Sequence, residues 1–253
     1  MFLAIDIGNS ATKFGLFDGE KLRDVFALSS LERKDVKESW AEISDRLRAI
    51  SVFEKSIRMV AIASVVPVLT EFYVEICQKH LSLTPQILSS ETPLGFKVLY
   101  DDPAQVGADR LANVAAARVM HGFPAIVVDL GTASTFDVID DSGNFMGGII
   151  APGIGISATA LFQRAAKLFP VEFEPPETVI ARDTSNAMKS GIIHGHVGLI
   201  EYLIEKIMTE LSIRNIEVIA TGGFARLLAP QCRSIEHIDE NLALRGLRVI
   251  YDQ

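Results

Sequence analysis

The chain has 253 residues, 49% of them hydrophobic, with 24 basic against 32 acidic side chains and a formal net charge of -8. That length is comfortable for two domains and lets folding bury roughly 70–75% of the unfolded surface. The acidic balance argues against nucleic acid or an anionic membrane as partner, while leaving room for a local basic pocket. Cys77 and Cys232 lie far apart without metal-ligand spacing, which fits two reduced thiols in a cytoplasmic protein. No secretory-signal pattern opens the chain, and no run of about 18 apolar residues marks a membrane span.

The apolar run Phe2-Leu3-Ala4-Ile5 ends on Asp6-Ile7-Gly8-Asn9-Ser10-Ala11-Thr12-Lys13. A buried strand is expected to finish on the carboxylate, with the Gly turning the backbone close to a ligand. Phe14-Gly15-Leu16-Phe17 reads as the return strand of a hairpin, and Asp18-Gly19 as a tight turn into a third strand around Val25–Leu28. Val36, Trp40, Ile43 and Leu47 recur at helical spacing, predicting an amphipathic helix from about Lys34 to Ala49. The β-branched run Val60–Val66 predicts a central strand, ended by Pro67 and followed by a helix to about His80. Gln86–Leu88 and Gly95–Tyr100 are expected to be extended, and Leu111–Met120 is an Ala-rich helix.

A second strand, Ala125–Val128, then ends on Asp129-Leu130-Gly131-Thr132-Ala133-Ser134-Thr135-Phe136. Asp6–Asp18 and Asp129–Asp141 align without a gap over thirteen positions. Further strands are expected through Asp137 and at Gly147–Ile150, then helices at about 155–167 and 184–209. A strand over Glu217–Ala220 follows, and a last helix from near Asn241, with Arg248–Tyr251 as a short end element. The order predicts mixed sheets covered by helices. A repeated strand, phosphate turn and strand suggests two related lobes closing on one nucleotide, a pattern that resembles the actin-like ATPase and sugar kinase superfamily. The expected fold is therefore α/β, with duplicated actin-like (ribonuclease H-like) lobes at 1–118 and 119–253, each a mixed sheet of five-stranded type with flanking helices.

In both turns, small hydroxyl and amide residues can converge on phosphate oxygens, while the Asp holds a cation or polarises a water. Asp109-Arg110 follows Gly107 at a helix start, where free N–H groups and the dipole favour an anion. Arg110 could grip a carboxylate and a partly desolvated Asp109 could accept a hydroxyl proton. Thr221-Gly222-Gly223 is a third close-approach turn, suited to adenine or ribose against bare backbone. His194 and His196 face different sides of a helix and read as packing or surface residues. His80, His121 and His237 have no acidic or cysteine partners at ligand spacing.

Together with Ala63–Pro67, Gly107-Ala108-Asp109-Arg110, Gly147-Gly148, Pro152-Gly153 and Asp183-Thr184, these turns resemble the ordered motifs of type III pantothenate kinase over nearly the whole chain. The resemblance implies phosphorylation of pantothenate to 4′-phosphopantothenate with ATP as donor, toward coenzyme A. It makes Asp109 the general base and places Tyr100, Gly107, Ala108, Asp109, Arg110 and Thr184 at pantothenate. Asp6, Ile7, Gly8, Asn9, Ser10, Ala11, Thr12, Lys13 and Thr132 would hold ATP, joined by Gly222 and Gly223. It implies Mg²⁺ with Asp6 as a candidate ligand, a monovalent cation, K⁺ or NH₄⁺, on Asp129, and a homodimer that completes the pantothenate site. With an ordinary carboxylate pKa of about 3.9, Asp109 would need placement more than tuning.

Two departures stand out. Ser10 replaces a usual Thr but keeps the hydroxyl, whereas Ala165 stands where the family commonly has a Thr that can help hold pantothenate. The phosphate turns do not themselves name the acceptor. Another small-molecule kinase of the superfamily, or a nucleotide-binding regulator without transfer, would carry the same turns.

Overall fold

The computed structural model describes residues 1–32 and 35–251. Two compact units emerge: the first joins Met1–Met120 to the residues from Asn241 onward, and the second is His121–Glu240. Each is built on a five-stranded sheet flanked by helices.

In the first unit the strands are β1 (Phe2–Ile7), β2 (Ala11–Asp18), β3 (Lys21–Ser29), β4 (Met59–Ser64) and β5 (Gln86–Ile87), in the order β3-β2-β1-β4-β5. β1 is central, antiparallel to β2 and parallel to β4. It is covered on both faces, which is why Phe2–Ile5 is a continuous apolar run rather than an alternating one. Helix α1 (Val36–Ala49) starts with a capping box: Asp35 Oδ1 accepts the Glu38 N–H at 2.8 Å, and Glu38 Oε2 accepts the Asp35 N–H at 3.2 Å. The start expected at Lys34 falls outside the described residues. Pro67 opens α2 (Pro67–Ile76), where its missing N–H is harmless, and one π-helical turn, Cys77–Leu81, continues it.

The core of this unit gathers Leu3, Ile5, Phe14, Leu16, Ile43, Leu47, Ile62 and Ile76. Phe14 stacks on Phe26 at 4.8 Å and meets Tyr73 edge-on at 5.5 Å. Trp40 stacks on His80 at 4.7 Å, so both are packing residues. Among 95–100 the extended segment expected from sequence is reduced to an isolated bridge at Val98.

The second unit contains β6 (Ala125–Leu130), β7 (Ala133–Ile139), β8 (Phe145–Pro152), β9 (Glu217–Thr221) and β10 (His237–Ile238), in the order β10-β9-β6-β7-β8. Read from the other edge, this is the path of the first sheet repeated, with β6 in the place of β1. Helices α4 (Ile154–Arg164) and α5 (Thr184–Leu211) accompany it. Ile126, Val128, Leu130, Phe136, Ile193, Ile200 and Ile204 fill its core. The short α6 (Ala225–Leu228) follows β9.

The repeat is not gapless. Ile7 pairs with Thr12 across the first turn, whereas Leu130 pairs with Ser134 across the second, one residue sooner. Gly8 N–H reaches the Ala11 carbonyl and Gly131 N–H reaches the Ala133 carbonyl, both at 3.0 Å. Ala133 therefore corresponds to Ala11, Ser134 to Thr12 and Phe136 to Phe14. The ungapped alignment expected from sequence slips by one after the turn.

A second difference concerns the last helix, α7 (Leu242–Tyr251), which belongs to the first unit rather than to a C-terminal lobe over 119–253. Arg248–Tyr251, expected as a separate end element, is its last turn. It packs on the Ala-rich α3 (Ala108–Met120), and a Cβ on Gly246 would stand 1.8 Å from the Ala112 carbonyl oxygen. Small residues on both helices permit that approach. Gly246→Ala should accordingly cost about 3 kcal/mol, the upper range for overpacking, in urea unfolding of the purified protein.

Candidate active site

Each unit positions its own set of polar groups at strand ends and helix starts. In the first unit, Asp6 is half-buried at the end of β1, opposite Lys13 on β2 and beside Ala63 on β4. The turn that follows leaves Asn9 and Ser10 exposed and Gly8 and Ala11 half-buried. Its two flanking residues behave differently from the sequence expectation. Ile7 lies in the core, and Thr12 is fully buried with Oγ1 3.0 Å from Ser30 Oγ. Both can offer a ligand backbone at most. Ser30 N–H to the Ser10 carbonyl, at 3.1 Å, fixes the turn further.

Beside this turn β4 ends in a small knot. Val65 N–H reaches the Ile7 carbonyl at 3.1 Å, and Ser64 Oγ accepts from Val66 N–H at 3.1 Å and from the Thr70 hydroxyl at 2.7 Å. Gly107 sits against it. A Cβ there would be 3.5 Å from Val65 and 2.5 Å from Asp109 Oδ1. α3 then begins at Ala108, with Asp109 in its first turn. Asp109 Oδ1 accepts the Arg110 N–H at 2.8 Å. Burial pushes the Asp109 carboxyl above its ordinary value, with the Arg110 N–H and guanidinium pulling against it. Sequence reasoning expected an ordinary carboxylate. The displacement arises from burial, which neither composition nor motif spacing reports.

Arg110 is itself buried, its guanidinium 5.9 Å from the centre of the Tyr100 ring. Tyr100, Gly107, Ala108, Asp109 and Arg110 are thus brought together within one unit. Thr184 lies in the other unit, exposed at the first position of α5. Asp183 caps that helix by accepting from the Asn186 N–H at 2.9 Å. Thr184, Asp183, Met188, His196 and Ile154 line a cleft of about 890 Å³ along α4 and α5. Ala165 is half-buried immediately after α4, its carbonyl accepting the Leu168 N–H at 2.9 Å.

The second turn is held by backbone packed against a carboxylate. Asp129 is half-buried at the end of β6, and Thr132 is exposed beyond it. Gly222 has φ of +91°, and a Cβ there would be 2.4 Å from Asp129 Oδ1 and 2.6 Å from the Leu130 carbonyl carbon. Gly153 closes on the same turn, donating to the Thr132 carbonyl at 3.2 Å, and its Cβ would meet the Gly131 carbonyl oxygen at 2.4 Å. Gly223 is exposed with open space around it. Beneath the turn, Ser134 Oγ lies 2.9 Å from His196 Nε2, both buried, and burial lowers the His196 pKa so that the ring is neutral. His194 is exposed. The Ser134–His196 bond escaped the sequence reading, because residues 62 apart carry no local signal.

A family model described as type III pantothenate kinase matches residues 2–206. The chain belongs to the type III pantothenate kinase family. A type III pantothenate kinase of Syntrophus aciditrophicus is 41% identical over 251 residues, covering 99% of this chain and 98% of the relative. The enzyme of the same description from Desulfosudis oleivorans is 42% identical over 251 residues, with 99% and 98% covered. Among solved structures, a conserved Baf-family protein from Campylobacter jejuni aligns with a TM-score of 0.58 at 24% identity, covering 99% of this chain and 97% of the other. Component A of (R)-2-hydroxyglutaryl-CoA dehydratase from Acidaminococcus fermentans gives 0.56 at 12% identity, with 98% and 95% covered. At those identities the likeness is one of fold, and it places the type III pantothenate kinase motifs on duplicated actin-like lobes. Among the described residues no helix is long and apolar enough to cross a membrane.

The two glycines of the third motif separate cleanly. Gly222→Ala should destabilise the protein by about 1–3 kcal/mol, since it strains the backbone and displaces Asp129. Gly223→Ala should stay within about 0.5 kcal/mol. Thermal and urea unfolding of the two variants side by side checks the contrast.

Proposed function

We infer that this chain, as a member of the type III pantothenate kinase family, phosphorylates pantothenate with ATP, and that Asp109 is the general base. The observation that carries the residue assignment is the Gly107–Arg110 turn. It sets a partly buried carboxylate of raised pKa at a helix start beside a guanidinium anchored over Tyr100. Pantothenate offers an alcohol at one end and a carboxylate at the other, so it can use both groups.

In this reading the pantothenate hydroxyl gives its proton to an Asp109 carboxylate oxygen as that hydroxyl oxygen attacks the γ-phosphorus of ATP. The bond from that phosphorus to the bridging oxygen breaks and ADP leaves. A carboxylate of raised pKa is a stronger base than a solvated one, which favours the transfer. Arg110 orients the substrate's anionic end, with Tyr100 as a further contact in the same unit, and Gly8 to Ala11 and Lys13 hold phosphate oxygens. The family resemblance assigns Thr184 to pantothenate, Thr132 to phosphate and Gly222–Gly223 to the nucleoside. Phosphoryl transfer needs alignment and charge neutralisation more than covalent help.

The half-buried carboxylates of Asp6 and Asp129 at two strand ends, one with the Gly222 backbone closed on it, fit hard cations. Asp6 would hold Mg²⁺, and Asp129 a monovalent cation, K⁺ or NH₄⁺. Bound there, they would neutralise phosphate charge. The family resemblance further supports a homodimer acting in the cytoplasm.

Asp109→Asn tests the base. Turnover should fall by about 10²–10⁴ with ATP affinity within a few-fold of the parent, and undiminished turnover overturns the assignment. The same variant should unfold at no lower temperature than the parent at neutral pH. A carboxyl whose folded pKa is raised contributes stability that is present below its unfolded pKa and lost as pH rises through the folded one. For the parent, kcat/KM should decline on the acid side at a pH above the ordinary carboxylate value of 3.8, as Asp109 takes up its proton.

A further inference from the structure

Away from every residue assigned above, the second unit gathers two imidazoles and two carboxylates at the edge of its sheet. β9 and β10 run parallel with His237 opposite Ile219, so Glu217, two residues before Ile219, projects from the same face as His237. Glu236 immediately precedes His237, its N–H held by the Val218 carbonyl at 3.0 Å. One donor atom from each of Glu217, Glu236 and His237 lies within 4.8 Å of the other two, and His237 Nε2 is 3.0 Å from Glu217 Oε2. The His121 ring lies 4.8 Å from that of His237, and its Nε2 is buried without a hydrogen-bond partner among the described residues. His121, Glu217 and Glu236 also line a pocket of about 510 Å³. Along the sequence His121 and His237 lacked partners at ligand spacing; the register of β9 and β10 brings Glu217 to His237.

We propose that Glu217, Glu236 and His237 bind a divalent transition-metal ion of the Zn²⁺ class. The donor chemistry selects the ion: an imidazole with two carboxylates suits Zn²⁺, Co²⁺ or Ni²⁺, whereas Mg²⁺ and Ca²⁺ take oxygen alone. Ligands at bonding distance around a tetrahedral ion are about 3.4 Å apart, so the wider donor separations need to close by no more than about 1.4 Å while the 3.0 Å Glu217–His237 pair opens slightly. Glu236 is exposed, and its side chain can swing toward the Glu217–His237 pair. The fourth position is left to water, with the His121 ring packed against the ligand imidazole. The site sits at the start of β9, about 13 Å along the strand from the Thr221–Gly223 turn at its other end. It is therefore separate from the residues assigned to nucleotide. The competing account is a plain Glu217–His237 ion pair.

Full-length protein, stripped with a chelator and dialysed, is titrated with Co²⁺ and then Zn²⁺ in the absence of nucleotide. One equivalent of Co²⁺ should produce visible d–d absorption that Zn²⁺ removes, unchanged by saturating Mg²⁺ and a non-hydrolysable ATP analogue. Glu217→Gln should weaken Co²⁺ by at least about 10-fold, and His237→Gln should abolish the band while leaving kinase activity with Mg²⁺ intact. Absence of absorption, millimolar affinity alone, or equal affinity in His237→Gln overturns the proposal. Should a variant misfold, proton NMR of the parent decides: Zn²⁺ must shift the His237 imidazole signals before those of exposed His194, and equal or no shifts overturn it.

Discussion

The arrangement depends on backbone brought against a partly buried carboxylate. At Asp129 the contact is Gly222, held at positive φ with no room for a methyl; at Asp109 it is Gly107, whose missing Cβ is the space that Oδ1 occupies. Such contact removes water from one side of the carboxylate and fixes its direction. For Asp109 the loss of water outweighs the neighbouring N–H and guanidinium, and the carboxyl is pushed upward. A polar group placed this way is costly unless something binds it, so these positions are where function is expected to reside.

The sheets explain why the carboxylates stand where they do. β1 and β6 are central strands covered on both faces, so a charged side chain is tolerated only at their ends. The two share a burial pattern down to the half-buried Asp in the fifth place. In the return strands the residues after each turn are matched as well: Thr12 and Ser134 are buried, with hydroxyls bonded to Ser30 and His196 respectively. One turn is thus tied to an adjacent strand end, the other to a long helix that lines the cleft.

Much of this was legible in the sequence. The continuous apolar runs, the Asp-x-Gly turns, Pro67 at a helix start and the Ala-rich helix after Arg110 are local signals with local causes, and the elements formed where those signals stood. The misread features have non-local causes. The one-residue slip between the repeats is set by strand pairing, which a gapless comparison cannot feel. Thr12 and Ile7 stand in the same turn motif as the residues proposed for phosphate, yet their side chains are buried in the core. Glu217, the hydrogen-bond partner of His237, comes from β9, twenty residues earlier.

The last helix carries a consequence for how the molecule is made. α7 completes the first unit by packing on α3, with Gly246 set against the Ala112 backbone. Ribosomal synthesis delivers it after all of His121–Glu240 has been made. The middle of the chain can therefore reach its native packing while the beginning still waits for its final piece, reversing the usual order in which N-terminal portions mature first.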